Sequence, residues 1–418
     1  MGATIAEKIL ARAGGVTRVT PGEIAWFTPD LTIAHDLNFP FYRKQMAEMG
    51  IDQIANPEKL VLTIDHLPYS DRPEAHDNHR RMREEARRFG IRMYDLGRNG
   101  ISHNLPLDHG LVRPGTLVIT SDTRSPALGC VGALGIALGA GFLVTMVTGR
   151  AWLRVPPTVR VNLTGRPQPG VFSRDIGEWV AAQLGPEAAD YRVVEFAGPA
   201  FEHLGLDARH TLCNAMVDPG VKGAIVQPDA QTEAYVRERV HGECELVTSD
   251  ADAGYEQVMS YDISGLTPLV SLPPDPENVR PVGEVAGRPI HQAFIGSCIG
   301  GKLEDLRAAA RVLRGRKVAD GVRLLVVPAT HEIHAQAERE GLMRVFAEAN
   351  AYVAVGACGP CYGSLAPLVG EQTCISTGTR NEPGRMGSRT ATIYLASAAT
   401  VAASAVMGAI TDPREFLG

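Results

Sequence analysis

The chain has no basic block and no Lys/Arg stripe interleaved with aromatics; 41 basic against 47 acidic side chains leave a formal charge of −6. That balance argues against nucleic acid as a partner. A signal-type apolar core is also missing, because Met1 to Leu10 carries Glu7 and Lys8 and reads as an amphipathic helix. Ala6 stands where a myristoylation signal needs a hydroxyl. The longest apolar stretch, Ala391 to Ile410, is interrupted by Ser, Thr and Gly and reads as a buried small-residue helix, not a membrane span. Seven cysteines, an odd number, show no disulfide framework. Reduced thiols, no leader and no membrane segment point to the cytoplasm. No repeat period and no low-complexity segment stands out.

At 418 residues the chain exceeds one ordinary core and should divide into several domains. Strand-like Lys59–Ile64, a helix-patterned stretch from His76 to Phe89 and strand-like Leu117–Thr120 alternate, which predicts an α/β fold of parallel sheets with helical crossovers. The Gly- and Ala-rich run from Gly129 to Gly149 permits close backbone approach and is expected beside the site. Breaks are read at Trp152–Pro157 and at the proline-rich segment Ser271–Asn278, giving domains 1–156, 157–275 and 276–418.

Three cysteines carry the chemistry: Cys298 after a strand-like run ending at Ile295, and Cys358 and Cys361 in Cys-Gly-Pro-Cys after another. Three thiolates suit a soft metal centre, and an iron-sulfur cube held by three of them leaves one iron open for Lewis-acid chemistry. A thioredoxin-type dithiol would want an early βαβ context, and a structural zinc a fourth close ligand. Both motifs follow strands, where open α/β sheets place ligands. Cys130, Cys213, Cys244 and Cys374 read as small buried hydrophobes.

With Asp65-His66, Gly100-Ile101-Ser102-His103-Asn104, Ile295-Gly296-Ser297-Cys298, Cys358-Gly359-Pro360-Cys361 and Arg380-Asn381-x-x-Gly384-Arg385-Met386-Gly387, the chain resembles, over nearly its whole length, the 3-isopropylmalate dehydratase large subunits of the aconitase superfamily. The resemblance implies three doubly wound domains around a central [4Fe-4S] cluster on Cys298, Cys358 and Cys361. The open iron would bind a hydroxy acid through its hydroxyl and a carboxylate, making hydroxide a tolerable leaving group. By itself Asp65-His66 reads equally as a structural pair or an acid/base unit; the resemblance makes it catalytic. His103, Asp122 and Asp218 are carried over as further catalytic groups, with Asp218 where the family has a glutamate partner for a histidine. Arg380 and Arg385 stand at substrate-carboxylate positions, a task suited to a guanidinium fork.

Four departures accompany the matches. The family's Asp-Ser-His-Thr is Asp122-Thr123-Arg124-Ser125, and Arg124, which cannot shuttle protons, is read as holding an extra carboxylate or pairing with Asp122. Ser-Cys-Thr-Asn is Ser297-Cys298-Ile299-Gly300, the asparagine before Arg380 is Thr379, and Asp218 replaces glutamate. Aconitase-like single chains carry a fourth, mobile domain, and the end at Gly418 implies a separate small swivel subunit in a heterodimer or heterotetramer. The expected activity is a hydro-lyase on a hydroxy di- or tricarboxylate, 3-isopropylmalate by default. Homoaconitate, methylmalate, dimethylmalate and maleate-type substrates are the alternatives, and a non-catalytic iron-sulfur sensor is the competing class.

Overall fold

A computed structural model describes residues 2–240 and 244–417. Its first sheet contains β2 (Leu31–His35), β3 (Leu60–Thr63), β4 (Arg92–Tyr94), β5 (Leu117–Thr120) and β6 (Leu134–Ala137), all parallel in the order β4-β3-β2-β5-β6. The chain reverses direction across this sheet between β2 and β5, so a crevice opens at their carboxyl ends. β3 and β5 are buried at every position, the continuous apolar run expected of a sheet covered on both faces. A short ribbon, β1 (Ile24–Phe27) antiparallel to β7 (Ala151–Arg154), closes the unit.

The second sheet, β8 (Thr158–Thr164), β9 (Val193–Ala197), β10 (Gly223–Val226) and β11 (Gln257–Asp262), is also parallel, in the order β10-β9-β8-β11. The third holds β12 (Leu269–Ser271), β13 (Val279–Pro281), β14 (Gln292–Ile295), β15 (Arg323–Val326), β16 (Tyr352–Val353), β17 (Thr373–Ser376) and β18 (Thr392–Ala396), ordered β13-β12-β18-β17-β14-β15-β16. Its parallel part, read from β14, repeats the winding of the first sheet, with the reversal between β14 and β17. The recurrence lies in topology; the sequence shows no period.

Several sequence expectations are corrected. The segment Ser271–Asn278 is not a linker but the connection of the antiparallel β12–β13 hairpin, so the third sheet begins before residue 276. Prolines are tolerated there because they occupy a turn and an edge strand. Ala391–Ile410 is a strand followed by a helix, Ala398–Met407. The first helix runs Ile5–Gly14, with a Thr4–Glu7 capping box. Among the described residues no helix is long and apolar enough to cross a membrane.

The start of the glycine-rich run, Gly129 and Gly132, packs on the second unit, against Ala224 and Pro228. Gly129 packs on the backbone of β10, where a Cβ would overlap the carbonyl oxygen of Ala224. Gly129→Ala should therefore destabilise the chain by about 1–3 kcal/mol in chemical denaturation, the usual cost of overpacking, while Gly283→Ala, which meets open space, should leave the midpoint nearly unchanged.

Candidate active site

Asp36, the residue after β2, organises the first half of the site. Its Oδ1 accepts the backbone N–H groups of Asp65 (3.2 Å) and His66 (3.0 Å), and its Oδ2 accepts Leu67 N–H (2.8 Å), with His79 Nε2 at 3.3 Å. Burial opposes ionisation of Asp36, but His79 and the neighbouring imidazoles hold its carboxyl well below the usual range. The loop after β3 is thus fixed by one buried carboxylate. On it, Asp65 Oδ1 lies 2.6 Å from His66 Nδ1, and Asp65 Oδ2 accepts the Ser102 N–H at 2.8 Å.

Three imidazoles converge on Asp122, which follows β5. His35 Nε2, His66 Nε2 and His103 Nε2 lie 3.5, 3.6 and 3.6 Å from the same oxygen, Asp122 Oδ2. The His35 and His66 rings stack at 4.1 Å. Burial would depress His66, yet Asp65, Asp122 and Asp36 hold it up to about 9. Burial and the neighbouring His66 instead push His35 down. One ring is therefore a stored proton and its stacked neighbour is neutral at pH 7. Ligand atoms of His35, Asp36, Asp65 and His66 lie within 4.8 Å of one another, but the two carboxylates are already committed to backbone and imidazole N–H groups, so this is a hydrogen-bond network.

The three cysteines sit at the facing ends of the third sheet. Ser297, with a φ of 69°, turns the chain from β14 into Cys298. Asn214 Nδ2 donates to Cys298 Sγ at 3.2 Å, and Asn104 Nδ2 to the Cys298 carbonyl at 3.1 Å. Cys361 Sγ lies 3.5 Å from Thr379 Oγ1 and 3.7 Å from Arg385 Nη2. Burial pushes the Cys298 thiol up to about 11 and Cys358 well above its ordinary value, and the charges of the other cysteines push in the same direction. Burial also opposes the Cys361 thiolate, but the Arg385 guanidinium and Thr379 draw it below its usual value. Two buried sulfurs and one at a partly exposed residue, mutually repulsive as thiolates, are a donor set that a soft cationic centre satisfies, and an iron-sulfur cluster fits it.

Backbone bonds join the two halves. Cys358 N–H donates to the Asp65 carbonyl at 2.8 Å, Asn99 Nδ2 reaches both Ile64 O (2.8 Å) and Gly356 O (2.7 Å), and the Tyr69 hydroxyl accepts Val355 N–H at 2.7 Å. An open cleft of about 1020 Å³ continues from the site between Leu67–Arg72 on one side and Tyr362–Pro367 and Glu382–Arg389 on the other.

The structure thus brings together Asp65, His66, His103, Asp122, Cys298, Cys358, Cys361 and Arg385. Arg380 is exposed beside Thr379. Two expected roles are corrected. Arg124 does not pair with Asp122 and is not free for substrate: Nη1 donates to Asn214 O (3.0 Å) and Asp218 Oδ2 (2.9 Å), and Nη2 to Asp218 Oδ1 (2.6 Å) and Thr379 O (3.1 Å). Asp218 is consequently the counter-ion of Arg124, not a partner of His103, which faces Asp122. Nor are Ile299 and Gly300 lost polar groups of the site, since Ile299 is buried in the core of the second unit and a Cβ at Gly300 would overlap Thr377.

Sequence reading missed His35, Asp36, Asn99 and Asn214. The signal available for the first two was a His-Asp pair at a strand end, the mirror of Asp65-His66; the asparagines act through folded contacts with Gly356 and Cys298.

The model of the aconitase family (aconitate hydratase) matches residues 7–289 and 280–408. The sequence is 40% identical over 419 residues, all of both chains, to 3-isopropylmalate dehydratase large subunit 1 of Methanopyrus kandleri. It is 40% identical over 415 residues, 99% of each chain, to the probable 3-isopropylmalate dehydratase large subunit of Methanothermobacter thermautotrophicus. Identity to the 3-isopropylmalate dehydratase large subunit of Aquifex aeolicus is 38% over 424 residues, all of this chain and 98% of that one. Among solved structures, the holo-form of Thermococcus kodakaraensis aconitase X aligns with a TM-score of 0.49 and 15% identity, over 90% of this chain and 88% of that one.

Asp36→Asn keeps the size of the side chain while removing the charge that gathers three backbone N–H groups. It should cost roughly 1.5–3 kcal/mol in unfolding free energy, the range for hydrogen bonds to a charged group, and an unchanged urea midpoint would show that the Asp65–Leu67 loop is held by something else.

Proposed function

The chain belongs to the aconitase family, and from that premise we propose that it is the large subunit of a hydro-lyase that dehydrates and rehydrates 3-isopropylmalate, with a [4Fe-4S] cluster on Cys298, Cys358 and Cys361. The observation that carries this reading is the Cys358 N–H bond to the Asp65 carbonyl, because it sets a charged imidazole–carboxylate pair against the thiol site.

When bound, the cluster supplies an open iron that acts as a Lewis acid toward the substrate hydroxyl and a carboxylate. His66, protonated at neutral pH, gives its Nε2 proton to the departing hydroxyl. Asp65 holds Nδ1, fixing ring orientation and steadying the charged form. Asp122 holds the rings of His66, His103 and His35 around one oxygen. Arg385, whose Nε is buried without a partner, has a donor free for a substrate carboxylate. Arg380, at the rim, takes the second carboxylate.

The relatives above are named as large subunits, and we assign this chain a small swivel subunit that closes over the cleft and supplies the base for the carbon-bound proton. The partnership is a heterodimer or a heterotetramer in the cytoplasm, consistent with the free cysteines among the described residues.

Two substitutions separate metal loading from proton transfer. In chain reconstituted anaerobically with iron and sulfide, Cys358→Ser should lose the cluster absorbance and the activity together. With the small subunit added, His66→Gln should keep the absorbance while turnover of 3-isopropylmalate falls roughly 10²–10⁴-fold, the usual contribution of a general acid. Unaltered turnover in the His66 variant would remove it from the mechanism.

A further inference from the structure

Arg124 is 4% exposed, and its side chain reaches from the first unit into the other two. The two carbonyls that it holds belong to Asn214 and Thr379. These same two residues present side chains to sulfur, Asn214 Nδ2 at 3.2 Å from Cys298 and Thr379 Oγ1 at 3.5 Å from Cys361. One guanidinium therefore fixes the backbone of two of the residues whose side chains contact cysteine sulfurs, the third being Arg385 on Cys361. Asp218 locks the other edge of the fork through two bonds, leaving all four Nη hydrogens used.

We infer that Arg124 is a positioning residue for the thiolate site: with Asp218 as its lock, it aims the Asn214 and Thr379 donors at Cys298 and Cys361 and so sets the electron density on the sulfurs. The inference rests on the cluster reading of the preceding subsection. It joins the Arg124 and Asp218 departures into one feature, a buried ion pair fixed by two hydrogen bonds. Hydrogen bonds to ligating sulfur raise a cluster's reduction potential, and partners behind the ligands fix their direction.

The test compares full-length chain, loaded anaerobically with iron and sulfide, as wild type, Arg124→Lys, Asn214→Ala and the double variant. Lysine keeps the positive charge and loses the fork, so any effect on potential reports geometry. The reduction potential of the cluster should fall in Arg124→Lys and in Asn214→Ala, and the double variant should fall by less than the sum of the two single shifts, because the Asn214 arm is shared while the Thr379 arm is not. Iron loss to a chelator should be faster in both single variants. If Arg124→Lys lowers only the melting temperature and leaves potential and iron loss as in wild type, or if the two shifts simply add, the inference is overturned. Should Arg124→Lys fail to accumulate as folded protein, Asp218→Asn, which leaves both carbonyl bonds possible but removes the lock, must lower the potential for the inference to stand. A wild-type chain that takes up no iron and sulfide contradicts the cluster reading itself, an outcome distinct from a loaded wild type with unresponsive variants.

Discussion

The bond from the Cys358 amide to the Asp65 carbonyl is the constraint on which the rest of the site depends. The Asp65–His66 pair and the thiols come from different sheets, more than two hundred residues apart in sequence, and a misplacement of about 1 Å can cost 10²-fold in rate. Each side of that bond is itself pinned. Asp36 gathers the N–H groups of the Asp65–Leu67 loop, and Asn99 ties Ile64 to Gly356. The buried charges of the site are each satisfied, by backbone groups, by imidazoles or, for Asp218, by the Arg124 guanidinium, the condition under which buried charge is tolerable.

The winding of the sheets explains why these loops meet. In the first sheet His35 ends β2, and Asp65 and Asp122 follow β3 and β5, on both sides of the reversal; in the third, Cys298, Cys358 and Thr379 follow β14, β16 and β17. Two crevices of the same construction face each other, and the second unit, through Asn214 and Asp218, backs the contact between them. Function is thus carried by loop residues on rigid strands, whose own sequence records only burial.

Much of this was legible in the chain. The thiol positions could be read because a Cys-x-x-Cys and a lone cysteine after apolar runs carry a chemical signature of their own. The α/β class followed from alternating strand and helix patterns. What escaped was of another kind. Asp36 acts on backbone amides thirty residues away, and Asn214 on a sulfur eighty-four residues away; no local pattern encodes either. The same holds for Arg124, whose local sequence does not show that its hydrogens are consumed by Asp218 and two carbonyls. The proline-rich hairpin reads as a domain break because a turn at a sheet edge and an interdomain segment have the same composition.

The central claim is that the three cysteines hold a cluster with one iron open to the hydroxy acid. Mössbauer spectroscopy of the chain loaded with isotopically enriched iron, together with the small subunit, tests it most directly, with and without saturating 3-isopropylmalate. The account predicts that one iron site changes its isomer shift and quadrupole splitting on substrate addition while the other sites keep theirs. A spectrum identical in both conditions, or purified protein containing zinc and no sulfide, would contradict it.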